Sequence, residues 1–178
     1  MENTIVFRKG DESLILKERA EALAKPLDDN IVKGDIEILK FTLSNEIYAF
    51  ETKYVKEVLV LNELVQLPFT PDFVKGIISV RGEIISVLDI KKFFNLQSGG
   101  ITDLNRVIIL RLNEMTFGVL ADRILDVDNI SSNDLHTTLL NSNSILEEYI
   151  IGVTSDRNIV LNGFKFLTEN KIIVSDEL

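Results

Sequence analysis

Two short apolar runs, residues 77–80 and 84–88, are separated only by Arg81-Gly82-Glu83. Each run has the length of a strand, and the glycine between them supplies the positive φ that a tight hairpin needs. The stretch that follows, Ile90-Lys-Lys-Phe-Phe94, reads as a short amphipathic helix. The hairpin would hold one guanidinium at a fixed point on an otherwise apolar β-surface. That is the pattern of a docking surface with one polar reader, and nothing in it suggests a catalytic device.

The remaining composition narrows the classes. The 178 residues suit one domain or two small lobes sharing a core. Hydrophobic residues make up 46% of the chain, with no Trp and only three Tyr, so the core must be built from Ile, Leu, Val and Phe. The absence of Cys excludes disulfides, thiolate metal sites and cysteine nucleophiles. A formal charge of −9 argues against nucleic acid or an anionic membrane as the main partner. No apolar run approaches the ~18–20 residues of a membrane span, and the first ten residues lack the features of a signal peptide. A cytoplasmic protein is expected, without direct membrane insertion.

The N-terminal segment, 1–35, is expected to form a helical arm and linker. Leu16, Ala20 and Leu23 share a helical face within 11–25, and Pro26 ends the pattern. This face packs on its own domain or serves a partner. From Asp35 the pattern is β. Strands are expected at 36–43, 47–50, 54–61, 77–80, 84–88, 106–112, 116–121, 124–130, 149–154 and 159–161. Gln97-Ser-Gly-Gly100 is the best lobe boundary, giving lobes of roughly 36–97 and 98–168, with intertwined termini left open. Residues 131–148 are polar and expected as loop or short helix, and 164–167 as the start of a helix or strand. A weak internal echo joins Phe73-Val-Lys-Gly76, with Arg81 and Ile84-Ile85 beyond it, to Tyr149-Ile-Ile-Gly152, with Arg157 and Ile159-Val160. Two related five-stranded lobes would explain it, and regularly spaced short strands favour barrels.

These residues resemble the CheW-like domain, the coupling module of bacterial chemotaxis, over roughly 36–168. Phe41-Thr-Leu with Tyr48 resembles the opening hairpin, and Val55-Lys-Glu-Val-Leu59 the strand after it. Leu67-Pro68 and Pro71-Asp-Phe-Val-Lys-Gly76 resemble the connector, Val80-Arg-Gly82 the family's arginine turn, and Ile84-Ile-Ser-Val-Leu-Asp-Ile90 the next strand. Arg106-Val-Ile-Ile, Gly118-Val-Leu-Ala-Asp122 and Tyr149-Ile-Ile-Gly152 complete the ordered set. Ser79 and Ser86 stand where the family often has Asn and Pro, and Asn162-Gly163 departs from its usual ending. The resemblance implies a mainly β fold of two SH3-like five-stranded β-barrel lobes packed together, with short helices. It implies a scaffold with no chemistry and no cofactor, joining the cytoplasmic tips of methyl-accepting chemoreceptors to the regulatory domain of the chemotaxis histidine kinase in membrane-associated receptor arrays. A CheW-like adaptor of a non-motility kinase pathway and a small-molecule-binding β protein are the alternatives.

By the same resemblance, Arg81 contacts a partner; an internal salt bridge to Glu83 or Asp89 is the competing role. Alternation places Val55 and Glu57 on one face of a strand and Val58 on the other. The resemblance makes these interface residues, against a half-buried strand with a solvated Glu. Ile124 and Val127 match the segment that lines the family's receptor groove, or are plain core. Gly76, Gly82, Gly118 and Gly152 are expected to serve the backbone. His136, the only histidine, could act as a base with Ser142 or Ser144, but no nucleophile elbow, metal-ligand spacing or phosphate loop accompanies it.

Overall fold

The computed structural model describes residues 35–96, 104–136 and 145–168. The arm expected at 1–35, the joint at 97–100, and Ser142 and Ser144 lie outside them, apart from Asp35. The first strands are β1 (Asp35–Leu43) and β2 (Glu46–Glu51); a 3₁₀ turn, Thr52–Tyr54, leads to β3 (Val55–Val60). The central run holds β4 (Val74–Val80), β5 (Glu83–Leu88), helix α1 (Ile90–Phe93), β6 (Arg106–Leu112) and β7 (Met115–Ala121). Then come β8 (Arg123–Ser131), a 3₁₀ turn at Ser132–Asp134, β9 (Leu135–His136), α2 (Ile145–Glu148), β10 (Ile150–Thr154), β11 (Ile159–Leu161) and α3 (Gly163–Thr168). The fold is mainly β, as expected. The ending is helical: Asn162 Oδ1 accepts from the Lys165 N–H and caps α3.

Two sheets form, in the orders β3-β6-β7-β5-β4 and β8-β1-β2-β11-β10-β9. They share one plan. In each, a parallel pair (β5 with β7, β11 with β2) joins two antiparallel hairpins. Each also closes toward a barrel by the same device. The chain beyond β3 crosses to the far side of its sheet, where Val65 and Ile77 exchange N–H···O bonds of 2.9 and 2.8 Å. The chain beyond β8 runs through its 3₁₀ turn into β9, which pairs with β10 at the opposite end. The sixth strand of the larger sheet is this two-residue closing piece.

The internal echo has its physical cause in these closures. A Cβ on Gly76 would lie 2.3 Å from the Val65 carbonyl oxygen, and one on Gly152 would lie 2.8 Å from that of His136. Both glycines stand where a closing segment passes over the barrel.

The sheets do not divide at 97–100, the expected boundary. Every described strand within 55–121 belongs to the five-stranded sheet, and among the described residues the chain changes sheets at Thr52–Tyr54 and at Asp122. The parallel β5–β7 pair explains this, since β6 and β7 must lie beside the earlier strands to make it. A small core fills each sheet's own concavity: Ile78, Val80, Ile85, Val87, Val107, Ile109 and Leu120 in one, Ile38, Ala49, Ile130 and Val160 in the other. The largest cluster lies between the sheets and includes Leu39, Phe41 and Phe50 from one side, Ile108, Leu110 and Val119 from the other, with Tyr149 and Phe166.

Candidate functional site

The hairpin that opened the sequence argument forms with a two-residue loop. Val80 pairs with Glu83, so Glu83 belongs to β5 and the turn is Arg81-Gly82. Both have positive φ, 51° and 87°, the requirement of a type I′ turn. Asn, Asp and Gly are the usual residues in the first position, so a long side chain there is uncommon, and that of Arg81 reaches back across the sheet to β3. Its Nη2 donates to Glu57 Oε2 at 3.0 Å. Arg81 therefore makes an internal salt bridge, but with neither Glu83 nor Asp89: two residues expected separately at the interface hold each other. The pair is lopsided, with the arginine side chain 80% exposed and the glutamate 17%. Alongside it, Glu83 receives Lys56 Nζ at 3.3 Å and lies 3.8 Å from Arg111 Nη2.

Strand β3 does not alternate as the sequence suggests. Its register against β6 slips between Val55 and Glu57, so Lys56 is an extra residue. Val55 then stands opposite Leu110 and Val58 opposite Ile108, which places both on the face toward the second sheet. Glu57, opposite Ile109, takes the other face. Val55 packs on the large central cluster, and Val58, at the sheet's margin, is 37% exposed.

Sheet two repeats this arrangement on β8. Its register against β1 slips between Leu39 and Phe41, so Ile124 stands opposite Phe41 and Val127 opposite Leu39. Both face the central cluster; Ile124 packs against it, and Val127 lies at the margin, 53% exposed. Val127 is thus not core. Asp126 occupies the position corresponding to Glu57, and its counter-ion is Lys40, whose Nζ lies 3.1 Å from both Asp126 Oδ1 and Asp128 Oδ2. Asp128's hydrogen bond from Lys40 holds its carboxyl below the ordinary value of 3.8, and the two carboxylates raise the Lys40 ammonium. The depressed Asp128 pKa contributes stability above the unfolded value, and that contribution is lost as pH falls through the folded one. Lys40→Met is therefore expected to lower the melting temperature slightly at neutral pH, and the gap from wild type should close as pH falls through the depressed Asp128 pKa, below the ordinary value of 3.8. Parallel melts across that range check it.

Ser142 and Ser144 lie outside the described residues, which include only His136 of the expected set. His136 Nε2 lies 3.5 Å from Ser155 Oγ, which donates to Asp134. An acid engaged by the serine does not orient the imidazole, so the order of a catalytic triad is missing. Among the described residues no group of acids and histidines is placed to hold a metal, and no helix is long and apolar enough to cross a membrane.

Comparison with known proteins then decides the family. The model of the CheW-like domain matches residues 37–169. The chain belongs to the CheW-like domain family. A chemotaxis protein CheW from Klebsiella aerogenes is 26% identical over 144 residues, which cover 80% of this chain and 84% of that one. Another from Treponema pallidum is 29% identical, covering 76% and 84%. The scaffolding protein TtCheW from Thermoanaerobacter tengcongensis superposes with a TM-score of 0.65 at 28% identity, over 72% of this chain and 84% of that one. The CheW-like match spans both sheets and includes the Arg81 turn, β3 and β8. Sequence reasoning missed the slips at Lys56 and on β8, which have no residue signature.

Proposed function

We propose that this CheW-like chain is a non-enzymatic scaffold that couples chemoreceptors to the chemotaxis histidine kinase, in the cytoplasm at receptor arrays. The observation that carries the reading is the Arg81–Glu57 pair on strands whose opposite face exposes apolar side chains. Val58 and Val60 on β3 and Ile84 on β5 are those exposed side chains. Charged and apolar groups together at an exposed margin are the material of a binding hot spot. Glu57 engages one guanidinium nitrogen, and the remaining N–H donors can reach a partner's carboxylate or the last carbonyls of a helix. The relatives named chemotaxis protein CheW and the scaffold TtCheW support the same assignment.

In this mechanism Arg81, Glu57 and Val58 form one docking edge with Val55 as its packed support. Val127, supported by Ile124, marks a second edge on the other sheet. The kinase's regulatory domain takes one edge and a receptor tip helix the margin between the sheets. Coupling needs no chemistry: both partners grip one rigid body, so a shift in one biases the other.

The test is affinity capture from the source cell's lysate, read by mass spectrometry. Wild type should bring down a chemoreceptor and a histidine kinase; the absence of both under crosslinking would sink the scaffold reading. Val127→Asp should fold as wild type, because the side chain is half in solvent, yet recover about tenfold less receptor, the loss expected for a charge buried without a partner in an apolar contact.

A further inference from the structure

Lys91 is the first charged residue of α1, and only 2% of it is exposed. Its Nζ donates to Asp122 Oδ1 at 2.5 Å. The docking edges use neither residue. The Lys91 side chain is 3% exposed and that of Asp122 29%, so the desolvation cost falls mainly on the lysine. Stability alone is a poor account of it, because an apolar side chain packed in its place is often as stable or more so. What such a pair supplies is direction.

Asp122 has an unusual position. The chain passes between the two sheets twice among the described residues, at Thr52–Tyr54 and at Asp122 alone. The first passage is held by packing, with Tyr54's ring so close to Gly163 of α3 that a Cβ there would come within 2.6 Å, and by polar bonds to one side only, from Thr52 Oγ1 to Glu37. The second is held by polar bonds to both sides. Toward the β1–β2 turn, the Asp122 N–H donates to Thr42 O at 3.0 Å and Asp122 Oδ2 accepts from the Ser44 N–H at 2.7 Å. Toward the other sheet, Oδ1 accepts from Lys91 Nζ and from Asn105 Nδ2, the latter at 3.3 Å. Asn105 Nδ2 also donates to Ala121 O at 3.1 Å.

Two short passages define an axis about which the sheets could turn. The cluster between them is built of Leu, Ile, Val, Phe, Tyr and Ala, and apolar layers tolerate small shear. Directional bonds to a charged centre do not. We propose that Asp122 is the latch of a hinge between the two lobes and that Lys91 is the group that closes it, fixing the angle at which β3 and β8 are presented. Lys91 and Asp122 are positioning residues; they act on partners only through that angle. The hinge itself does not depend on who the partners are. Its consequence for coupling rests on the scaffold reading.

The test uses the full chain. With no native cysteine, nitroxide labels on Ser79→Cys in one sheet and Asn129→Cys in the other report a single distance by pulsed electron resonance. Wild type should give one narrow distribution. Lys91→Met should widen it by about a factor of two as a second arrangement becomes populated. Val107→Ala, which opens a cavity inside one sheet's own core, should lower the melting temperature and leave the width unchanged. A wild-type width in Lys91→Met overturns the latch. If Lys91→Met does not fold, Asn105→Ala decides: removing one donor to Asp122 should broaden the distribution in part, and an unchanged width overturns the proposal. Failure to capture a receptor or kinase would leave these distances untouched, so the two readings fail separately.

Discussion

Arg81→Glu is expected to abolish capture of one partner while leaving the fold intact. The side chain is 80% exposed, and an ion pair so placed is worth about 0–1 kcal/mol to folding. The binding term is larger. Removing one member of a charge-assisted contact at the centre of an interface costs about 2–5 kcal/mol, a loss of roughly 30-fold or more in affinity. Reversal adds repulsion, because the new carboxylate would face Glu57 across the space the guanidinium now fills. Circular dichroism should match wild type, and titration with the purified partner should show the loss. The double exchange, Arg81→Glu with Glu57→Arg, separates two roles. It restores the internal pair with its polarity inverted. Were Arg81 needed only to hold Glu57, the exchange would restore binding. Direct contact with a partner predicts that it will not. Recovery to wild-type affinity would return Arg81 to the status of an internal strut.

Much of this site was legible from residue order. Val80-Arg81-Gly82 announced a hairpin, the apolar runs gave its strands, and the ordered motifs led to the CheW-like family that the match over 37–169 then established. The pairing of Arg81 with Glu57 was not legible, although both residues were singled out. It needs the sheet to curl until the β4–β5 turn meets β3, and that closure rests on the Val65–Ile77 bridge, made by a stretch with no strand pattern of its own. Nor could alternation survive on β3 and β8. One extra residue in each strand puts Val55 with Val58, and Ile124 with Val127, on faces where a regular period would separate them. The boundary at 97–100 misled for a related reason. A glycine pair marks flexibility, but which strands share a sheet is decided by long-range pairing, here the parallel contact of β5 with β7. The echo around Gly76 and Gly152 was visible as residues, and its meaning came only with the two crossing segments above them.

Gly76→Ala should be the most destabilising conservative change at a glycine of the five-stranded sheet. A methyl there would sit 2.3 Å from the Val65 carbonyl oxygen and 3.0 Å from its carbon. Backbone, rather than a flexible side-chain end, is what it meets, and that backbone is pinned by two hydrogen bonds to Ile77. The φ of 148° adds strain for any L side chain. Steric and conformational terms together put the cost at about 2–4 kcal/mol, in the upper range for single changes. For a domain of this size that is roughly 5–15 °C in melting temperature. Gly82→Ala supplies the contrast. Its φ is 87°, yet nothing lies within 4 Å of the added methyl, so only the conformational penalty of about 1 kcal/mol applies. Thermal melts of the two variants side by side measure the difference, and equal midpoints would mean that the Val65 segment does not close the barrel. The consequence reaches the docking edge. Arg81 meets Glu57 only because the closed barrel brings the β4–β5 turn onto β3, so at temperatures where Gly76→Ala is still folded it should also bind its partner more weakly than Gly82→Ala does.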